Sequence, residues 1–474
     1  MIPRSRQFKQ NVSVALNDID LQKALERVQE GFVDKRAAVV AELPEFENLR
    51  EQGRQIRNYV LDHLDFYLEH FENVVHQRGG EVHWAETSEQ ARDIVRGICE
   101  RVQAKTVIKG KSMISEEIAL NEALIADGLD VIESDLGEYI LQLAGEPPSH
   151  IIAPAIHKTK AQISELFYNA HKKLGFGRRL DTVPELVNEA REVLRSRYFE
   201  ADVGITGANF LVAETGSNII VTNEGNGDLS CTLPKVHIVT ASIDKVVPTL
   251  EDATALLRLL ARSATGQEIT SYTTFSSGPA RPGDLDGPEE YHVVLVDNGR
   301  SDMLAGRFRE MLRCIRCGAC MNHCPVYGAI GGHSYGWVYP GPMGSVLTPN
   351  FLGLDEAGDL ANACTLNGHC ASVCPVKIPL PDLLREHRRR QFESRKQPLV
   401  ARWALSGWVF LARRPRAYRA LMSLGIRLLN RLGRARGRFS HLPLLGAWTQ
   451  SRDLAAPRQD TFQALWKKRR EGRR

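Results

Sequence analysis

The sequence predicts an α/β domain, then an α-helical domain built around cysteines, then a basic helical region. Three observations predict this. From about Gly80 to Val296, short β-type apolar runs alternate with helical periodicity, the pattern of βαβ units around a mainly parallel sheet. Seven of the nine cysteines lie between Cys314 and Cys374. After Pro381, arginines interleave with apolar residues at helical spacing. The expected boundaries are 1–70 for an N-terminal helical segment, 71–297 for the α/β domain, 298–390 for the cysteine domain and 391–474 for the basic region.

A chain of 474 residues is long enough for two or three domains and a sizeable core. Its net charge of +4 is too small to argue for nucleic acid, and no nucleic-acid module is recognisable. Clustered cysteines without a disulfide framework fit a reducing compartment. The start, Met1-Ile-Pro-Arg-Ser-Arg, lacks the apolar stretch of a secretory signal. No run approaches the roughly 20 apolar residues that span a bilayer. The expected location is cytoplasmic, with peripheral membrane contact left open by the basic tail.

In chain order, Leu21, Ala24, Leu25 and Val28 repeat at helical spacing behind a capping Asp18, and Tyr59 to Phe71 continue the pattern. These helices are expected to brace the next domain. There, Glu81–Trp84, Thr106–Lys109, Asp130–Glu133 and Ile151–Pro154 read as strands, with helices at Ser88–Gln103 and Ser115–Ala126. A helical insert, Thr182–Arg197, precedes a second sheet-rich block. In that block Phe210–Ala213 and Ile219–Val221 are separated by a glycine turn and closed by Asn223-Glu-Gly-Asn-Gly227. Lys235–Thr240, Gln267–Thr273 and Tyr291–Val296 are further strand candidates.

The loops of this domain carry polar groups at strand ends, where α/β sheets hold ligands. Lys109-Gly110-Lys111-Ser112 joins a strand to a helix and suits an anion, although it lacks Walker A spacing. Glu133, Ser134, Asp135, Glu214 and Glu224 end neighbouring strands or flank glycine turns. Lys109, Lys111 and Glu214 are the candidate binding residues for a substrate or an anionic cofactor. Solvated loops and helix caps explain any one of these residues equally simply. No catalytic residue is identified.

The cysteines carry the sharpest signal. Cys314, Cys317, Cys320 and Cys324-Pro325 form C-x2-C-x2-C-x3-C-P, the spacing of bacterial ferredoxins. In that arrangement three thiolates bind one iron–sulfur cluster and the fourth reaches the other. Zinc needs four thiolates but no crossed pairing, so it fits less well. The second group, Cys364, Cys370 and Cys374-Pro375, has Asn367 where a middle cysteine is expected. Crossed pairing assigns Cys314, Cys317, Cys320 and Cys374 to cluster 1, a [4Fe-4S] cluster. Cluster 2 receives Cys324, Cys364 and Cys370, and three outcomes fit: a [3Fe-4S] cluster, a [4Fe-4S] cluster with an open or oxygen-ligated corner, or rescue by Cys99 or Cys231. Both remote cysteines sit in apolar settings, which suits buried structural thiols.

Between the two groups, Tyr327 to Gly344 is dense in glycine and aromatics, which suggests backbone packed against a cluster or a neighbouring subunit. His333 within it reads as a packed loop histidine or as a ligand. Farther on, Arg388-Arg389-Arg390, the apolar Trp403–Leu411 and Leu421, Leu424, Ile426, Leu428 and Leu429 among arginines suit a membrane surface, a partner or packing on the chain itself. The end, Lys467–Arg474, is expected to be disordered.

The block Cys314-Ile-Arg-Cys317-Gly-Ala-Cys320-Met-Asn-His-Cys324-Pro, with Gly331-Gly-His-Ser-Tyr-Gly-Trp, Thr206-Gly-Ala-Asn-Phe-Leu-Val-Ala-Glu-Thr-Gly-Ser and Cys374-Pro-Val-Lys-Ile-Pro-Leu-Pro, resembles the lactate utilisation protein B family over nearly the whole chain. The resemblance implies an α/β domain similar to the sugar-isomerase and CoA-transferase type, then an α-helical two-cluster ferredoxin domain and a C-terminal helical region. It implies cluster ligands at Cys314, Cys317, Cys320, Cys324, Cys370 and Cys374, with the departure at Asn367 putting a four-thiolate second cluster in question. It also implies an electron-transfer role in oxidising L-lactate to pyruvate beside two partners, a cysteine-rich protein and a second α/β protein. Neither a G-x-G-x-x-G fingerprint nor a flavin site is evident. Two alternatives remain: an iron–sulfur subunit for another hydroxy acid or a quinone-linked donor, and a scaffold or sensor whose clusters are structural.

Overall fold

The computed structural model describes residues 3–442, 449, 452–457 and 460–472. The N-terminal region is helical, as its periodicity predicts. Asp18 caps Ile19–Val28 by accepting the N–H groups of Asp20 and Leu21, both at 3.0 Å. The helices Phe46–Asp62 and Leu64–Gln77 follow. Val60, Leu64, Leu68, Phe71 and Val75 turn one apolar stripe onto Leu211, Val239, Val246 and Val293 of the strands behind them.

Ten strands make the two sheets of the α/β region. They are β1 (Glu81–Ala85), β2 (Thr106–Lys109), β3 (Asp130–Glu133), β4 (Val203–Gly207), β5 (Phe210–Val212), β6 (Ser217–Thr222), β7 (Val236–Ser242), β8 (Val246–Val247), β9 (Tyr272–Ser276) and β10 (Glu290–Val296). The larger sheet is parallel throughout, in the order β1-β10-β7-β4-β2-β3. Its middle strands are buried on both faces, as strands covered by helices on both sides are. The smaller sheet, β8-β5-β6-β9, is antiparallel except where β5 meets β8.

β4 has no counterpart among the sequence assignments because its two glycines weaken the strand pattern. Gly204 is needed there: a side chain would lie 1.9 Å from the Ser230 carbonyl oxygen on the helix Asn226–Thr232. The structure also contains the helices Leu136–Ala144, Lys160–His171 and Leu250–Thr265, which the sequence pattern does not predict. Ile151–Pro154, expected as a strand, is an irregular loop, and the strand expected at Gln267–Thr273 begins only at Tyr272. The helix expected across Ser115–Ala126 breaks at Ala119, which adopts a positive φ of 54°.

The N-terminal helices, the α/β region and the cysteine region pack into one unit, Met1–Gln391. One apolar core runs from Phe46 and Leu49 through Phe210, Ile219 and Leu256 to Met311, Tyr327, Trp337 and Leu384. The helix Phe46–Asp62 meets Leu250–Thr265 so closely that a Cβ on Gly53 would lie 2.5 Å from the Leu259 side chain.

The second unit, Phe392–Arg474, contains the helices Leu399–Ala412, Pro415–Gly433 and Phe462–Glu471. The last covers most of the stretch expected to be disordered; Arg473 and Arg474 lie outside the described residues. Pro415–Gly433 exposes Leu421, Leu424, Leu428 and Leu432. Among the described residues no helix is long and apolar enough to cross a membrane.

Candidate metal centre

The two cysteine groups lie on loops with matching backbone. In the first, Cys314 is followed by Arg316 at φ 59° and Gly318 at φ 74°, and a one-turn helix, Ala319–Asn322, carries Cys320. In the second, Cys364 is followed by Leu366 at φ 58° and Gly368 at φ 85°, and His369–Ser372 carries Cys370. Left-handed residues curl each loop so that N–H groups face sulfur. Arg316 N–H donates to Cys314 Sγ (3.4 Å) and Leu366 N–H to Cys364 Sγ (3.3 Å). The two C-P residues do the same across a helix start or turn: Tyr327 N–H donates to Cys324 Sγ (3.5 Å) and Ile378 N–H to Cys374 Sγ (3.4 Å). Such bonds favour the thiolate, the form that ligates metal.

All nine cysteines are free. Burial and then Cys374 and Cys314 push the Cys317 thiol up to about 12. Burial followed by Cys314, Cys317, Cys374 and Cys370 raises Cys320. In the other group burial, then Cys364 and Cys324, push Cys370 up to about 12. The thiols of Cys314, Cys317, Cys320 and Cys374 act on one another, as do those of Cys324, Cys364 and Cys370, with Cys370 acting on Cys320 as well.

Thiolates gathered this way repel one another unless metal cations bind them. A single zinc ion, with Zn–S near 2.3 Å, would hold its sulfurs about 3.8 Å apart. Among the described residues no three of these sulfurs lie within 4.8 Å of one another. The residues present fit the larger span of an iron–sulfur cluster.

Asn367 occupies the position of Cys317 in the second loop. Its side chain is exposed and its Oδ1 accepts the His369 N–H at 3.1 Å. Cys99 is buried among Ala91, Val95, Val107 and Leu124, and Cys231 donates to the Asp228 carbonyl at 3.3 Å, so both are engaged in the packing of the α/β region.

Arginines from other elements fasten the loops through their carbonyls. Arg36 donates to Val373 O (3.1 Å), and Arg50 donates to Ser372 O (2.8 Å) and Cys374 O (2.7 Å). Arg388 holds Cys364 O at 2.6 Å. The glycine–aromatic segment packs against the chain's own α/β region and N-terminus. A Cβ on Gly332 would lie 1.7 Å from Ser149 O, and one on Gly336 would lie 2.5 Å from the Arg4 backbone. His333 sits in that packing and donates from Nε2 to Pro147 O at 2.7 Å.

The three candidate residues of the α/β loops do not come together. Lys109 is fully buried and pairs with Glu133 (2.8 Å) and Glu116 (3.0 Å). Burial opposes its charge, but Glu133, Glu116 and Glu138 hold its pKa above the usual lysine value. Glu214 is exposed and caps Leu250–Thr265 by accepting the Leu250 N–H at 3.0 Å. Lys111 alone lines a cleft at the carboxyl ends of β2, β4 and β7, where it donates to Ile152 O at 2.6 Å. Asp135 and Glu224 line the same cleft.

Sequence reasoning missed two cations there, Lys245 and Arg316. They stand beside a buried network in which Arg300 pairs with Glu117 (2.7 Å) and Asp244 (3.0 Å), and Tyr339 donates to Glu117 at 2.5 Å. Burial works against the Asp244 carboxylate, but Arg300 and then Arg316 hold its pKa below the usual range. Burial, then Arg316, lower Lys245 to about 8.

Comparisons with known proteins agree with this organisation. The LUD domain family matches residues 68–296, the 4Fe-4S dicluster domain 310–378, and the family described as lactate utilisation protein B, C-terminal, 385–471. A protein of Geobacillus thermodenitrificans named lactate utilization protein B is 44% identical over 468 residues, covering 98% of this chain and 97% of that protein. A protein of the same name from Bacillus licheniformis is 42% identical over 470 residues, covering 98% of each. A crystal structure of a DUF162 family protein from Deinococcus radiodurans aligns with 49% of this chain and 98% of its own at 16% identity, with a TM-score of 0.28, which is too low to support an argument. With a parallel α/β sheet, two groups of thiols on loops of matching backbone, and relatives that share its full span, the chain belongs to the lactate utilisation protein B family of iron–sulfur proteins.

Proposed function

We propose that the chain is the iron–sulfur electron-transfer subunit of a complex that oxidises L-lactate to pyruvate. The observation that carries this reading is the division of seven cysteines into two groups on loops of matching backbone. The names of the full-length relatives supply lactate as the donor. Clusters bound at these thiols supply one-electron transfer, with the first a [4Fe-4S] cluster and the second a [3Fe-4S] cluster or a [4Fe-4S] cluster with a non-thiolate corner at Asn367. The chain's own part is to hold the sulfurs: Arg316, Tyr327, Leu366 and Ile378 give N–H bonds to them, and Arg36, Arg50 and Arg388 fix the loop carbonyls. Bonds to sulfur and limited solvent access tune a cluster's potential.

The α/β region is proposed to share the sugar-isomerase and CoA-transferase architecture, a reading supported by its parallel sheet with a smaller second sheet. A cysteine-rich protein and a second α/β protein are the proposed partners. The basic C-terminal helices, with their exposed leucines, are the proposed surface for partner or peripheral membrane contact in the cytoplasm.

The test is to isolate the protein anaerobically with its partners, add L-lactate and follow the visible absorbance of the clusters. The expected result is bleaching by L-lactate and none by other hydroxy acids. A sample that dithionite reduces but L-lactate does not would remove lactate as the donor.

A further inference from the structure

Beyond the carboxyl ends of β2, β4 and β7 lies the cleft of about 260 Å³ that Lys111 enters from one side. Strand ends of this kind are where α/β sheets place ligands. Lys245 reaches this cleft with only 6% of its surface exposed, and among the described residues its ammonium has no hydrogen-bond or ion-pair partner. Asp244, its neighbour in sequence, bonds Arg300 at 3.0 Å through one oxygen, and its charge and that of the Cys314 thiolate act on Lys245 and Arg316 without a bond to either. Arg316 lines the same cleft at 8% exposure. It lies 4.9 Å over the Tyr339 ring and 3.9 Å from the Met343 sulfur, and it bonds no carboxylate. Two buried cations without bonded counter-ions are costly, and an anion placed between them removes much of that cost.

The size and walls of the cleft narrow the class of anion. Its volume lies just below the range of about 300–1,000 Å³ that takes drug-sized ligands, so a molecule of about ten heavy atoms or fewer fits. Leu260 and Ala261 make one wall apolar. Asp135 and Glu224 stand on another side, where they would repel a dianion such as phosphate but could accept a hydrogen bond from a hydroxyl. We infer that this cleft binds a small monocarboxylate, held by Lys245 and Arg316, with its apolar end on Leu260 and Ala261. Naming that acid as a 2-hydroxy or 2-oxo acid rests on the function proposed above. Because Arg316 lies between Cys314 and Cys317, the residue that grips the carboxylate belongs to the first cysteine loop.

The test is anaerobic titration calorimetry on the full, cluster-loaded protein with L-lactate, pyruvate, neutral lactamide and inorganic phosphate. Saturable binding of the two carboxylates and none of lactamide is expected. Lys245→Met should weaken carboxylate binding at least about tenfold while leaving the visible absorbance and iron content unchanged. Lys245→Gln serves if the first variant does not fold. Phosphate binding tighter than either carboxylate, equal binding of lactamide, or unchanged affinity in a folded variant overturns the site. If the variant only shifts the reduction potential, the lysine balances cluster charge and the site is likewise overturned. Carboxylate binding in a protein whose clusters L-lactate does not bleach keeps this site and removes the electron path from lactate. Bleaching without binding does the reverse.

Discussion

Asn367 and Cys317 occupy equivalent places in two loops that share the same sequence of backbone turns, yet the cysteine is 7% exposed and the asparagine faces solvent. The second set of thiols thus has a gap at its most accessible corner. Asn367→Cys should place a fourth sulfur there, because the backbone already has the shape that presents Cys317. Electron paramagnetic resonance of the oxidised protein should lose any three-iron signal in the variant, and iron content should rise. An unchanged spectrum and unchanged iron content would refute the ligand assignment.

Glu117 joins two regions of the chain, since it bonds Arg300, Asn298 and Tyr339 at 2.5–2.9 Å in a fully buried site. Glu117→Gln should destabilise the protein by about 3 kcal/mol, the usual cost of breaking a buried ion pair. A lowered thermal midpoint checks this. Iron retention should fall as well, because Tyr339 and Arg300 flank the first cysteine loop through Arg316.

Lys109 balances three buried carboxylates. Lys109→Met should leave Glu116, Glu133 and Glu138 facing one another and cost about 3 kcal/mol at neutral pH. The loss should shrink in acid as the carboxyls take up protons. A chemical denaturation series at two pH values would show it. An anion-binding lysine would instead change ligand affinity with little effect on stability.

His237 is buried in β7 beside Thr206 (2.8 Å), and burial lowers its pKa from 6.5 to about 3. The unfolded chain binds a proton below about pH 6.5 that the folded chain refuses. Stability from this group is therefore complete above that pH and falls as the pH drops toward 3. The expected slope is roughly 1 kcal/mol per pH unit through that window. His237→Asn should flatten the slope of thermal midpoint against pH between about 6 and 4 relative to the native protein.

Several strands and the turns of the cysteine loops are legible because each is written in local spacing: β2 and β3 have the predicted limits, and the matching left-handed turns of the two loops agree with the repeated cysteine spacing. The cleft was not legible. Lys245 follows β7, Arg316 sits inside a cysteine motif and Lys111 follows β2, and only the fold makes them neighbours. Lys109 drew attention for the same reason that it is buried: a charge at a strand end signals either a ligand or an ion pair, and spacing alone does not separate the two. Ile151–Pro154 has the apolar texture of a strand, but it packs as a loop beside Gly318.

In the crossed arrangement proposed for the clusters the two centres share a fate: Cys374 would complete the first set and Cys324 the second, so a nascent chain would hold neither complete set until both loops have left the ribosome. Oxidation of Cys374 alone would then open the first centre and disturb the loop that also carries Cys364 and Cys370. Damage by oxygen should then remove iron from both centres together, and reassembly should begin from a chain whose loops are still pinned by Arg36, Arg50 and Arg388.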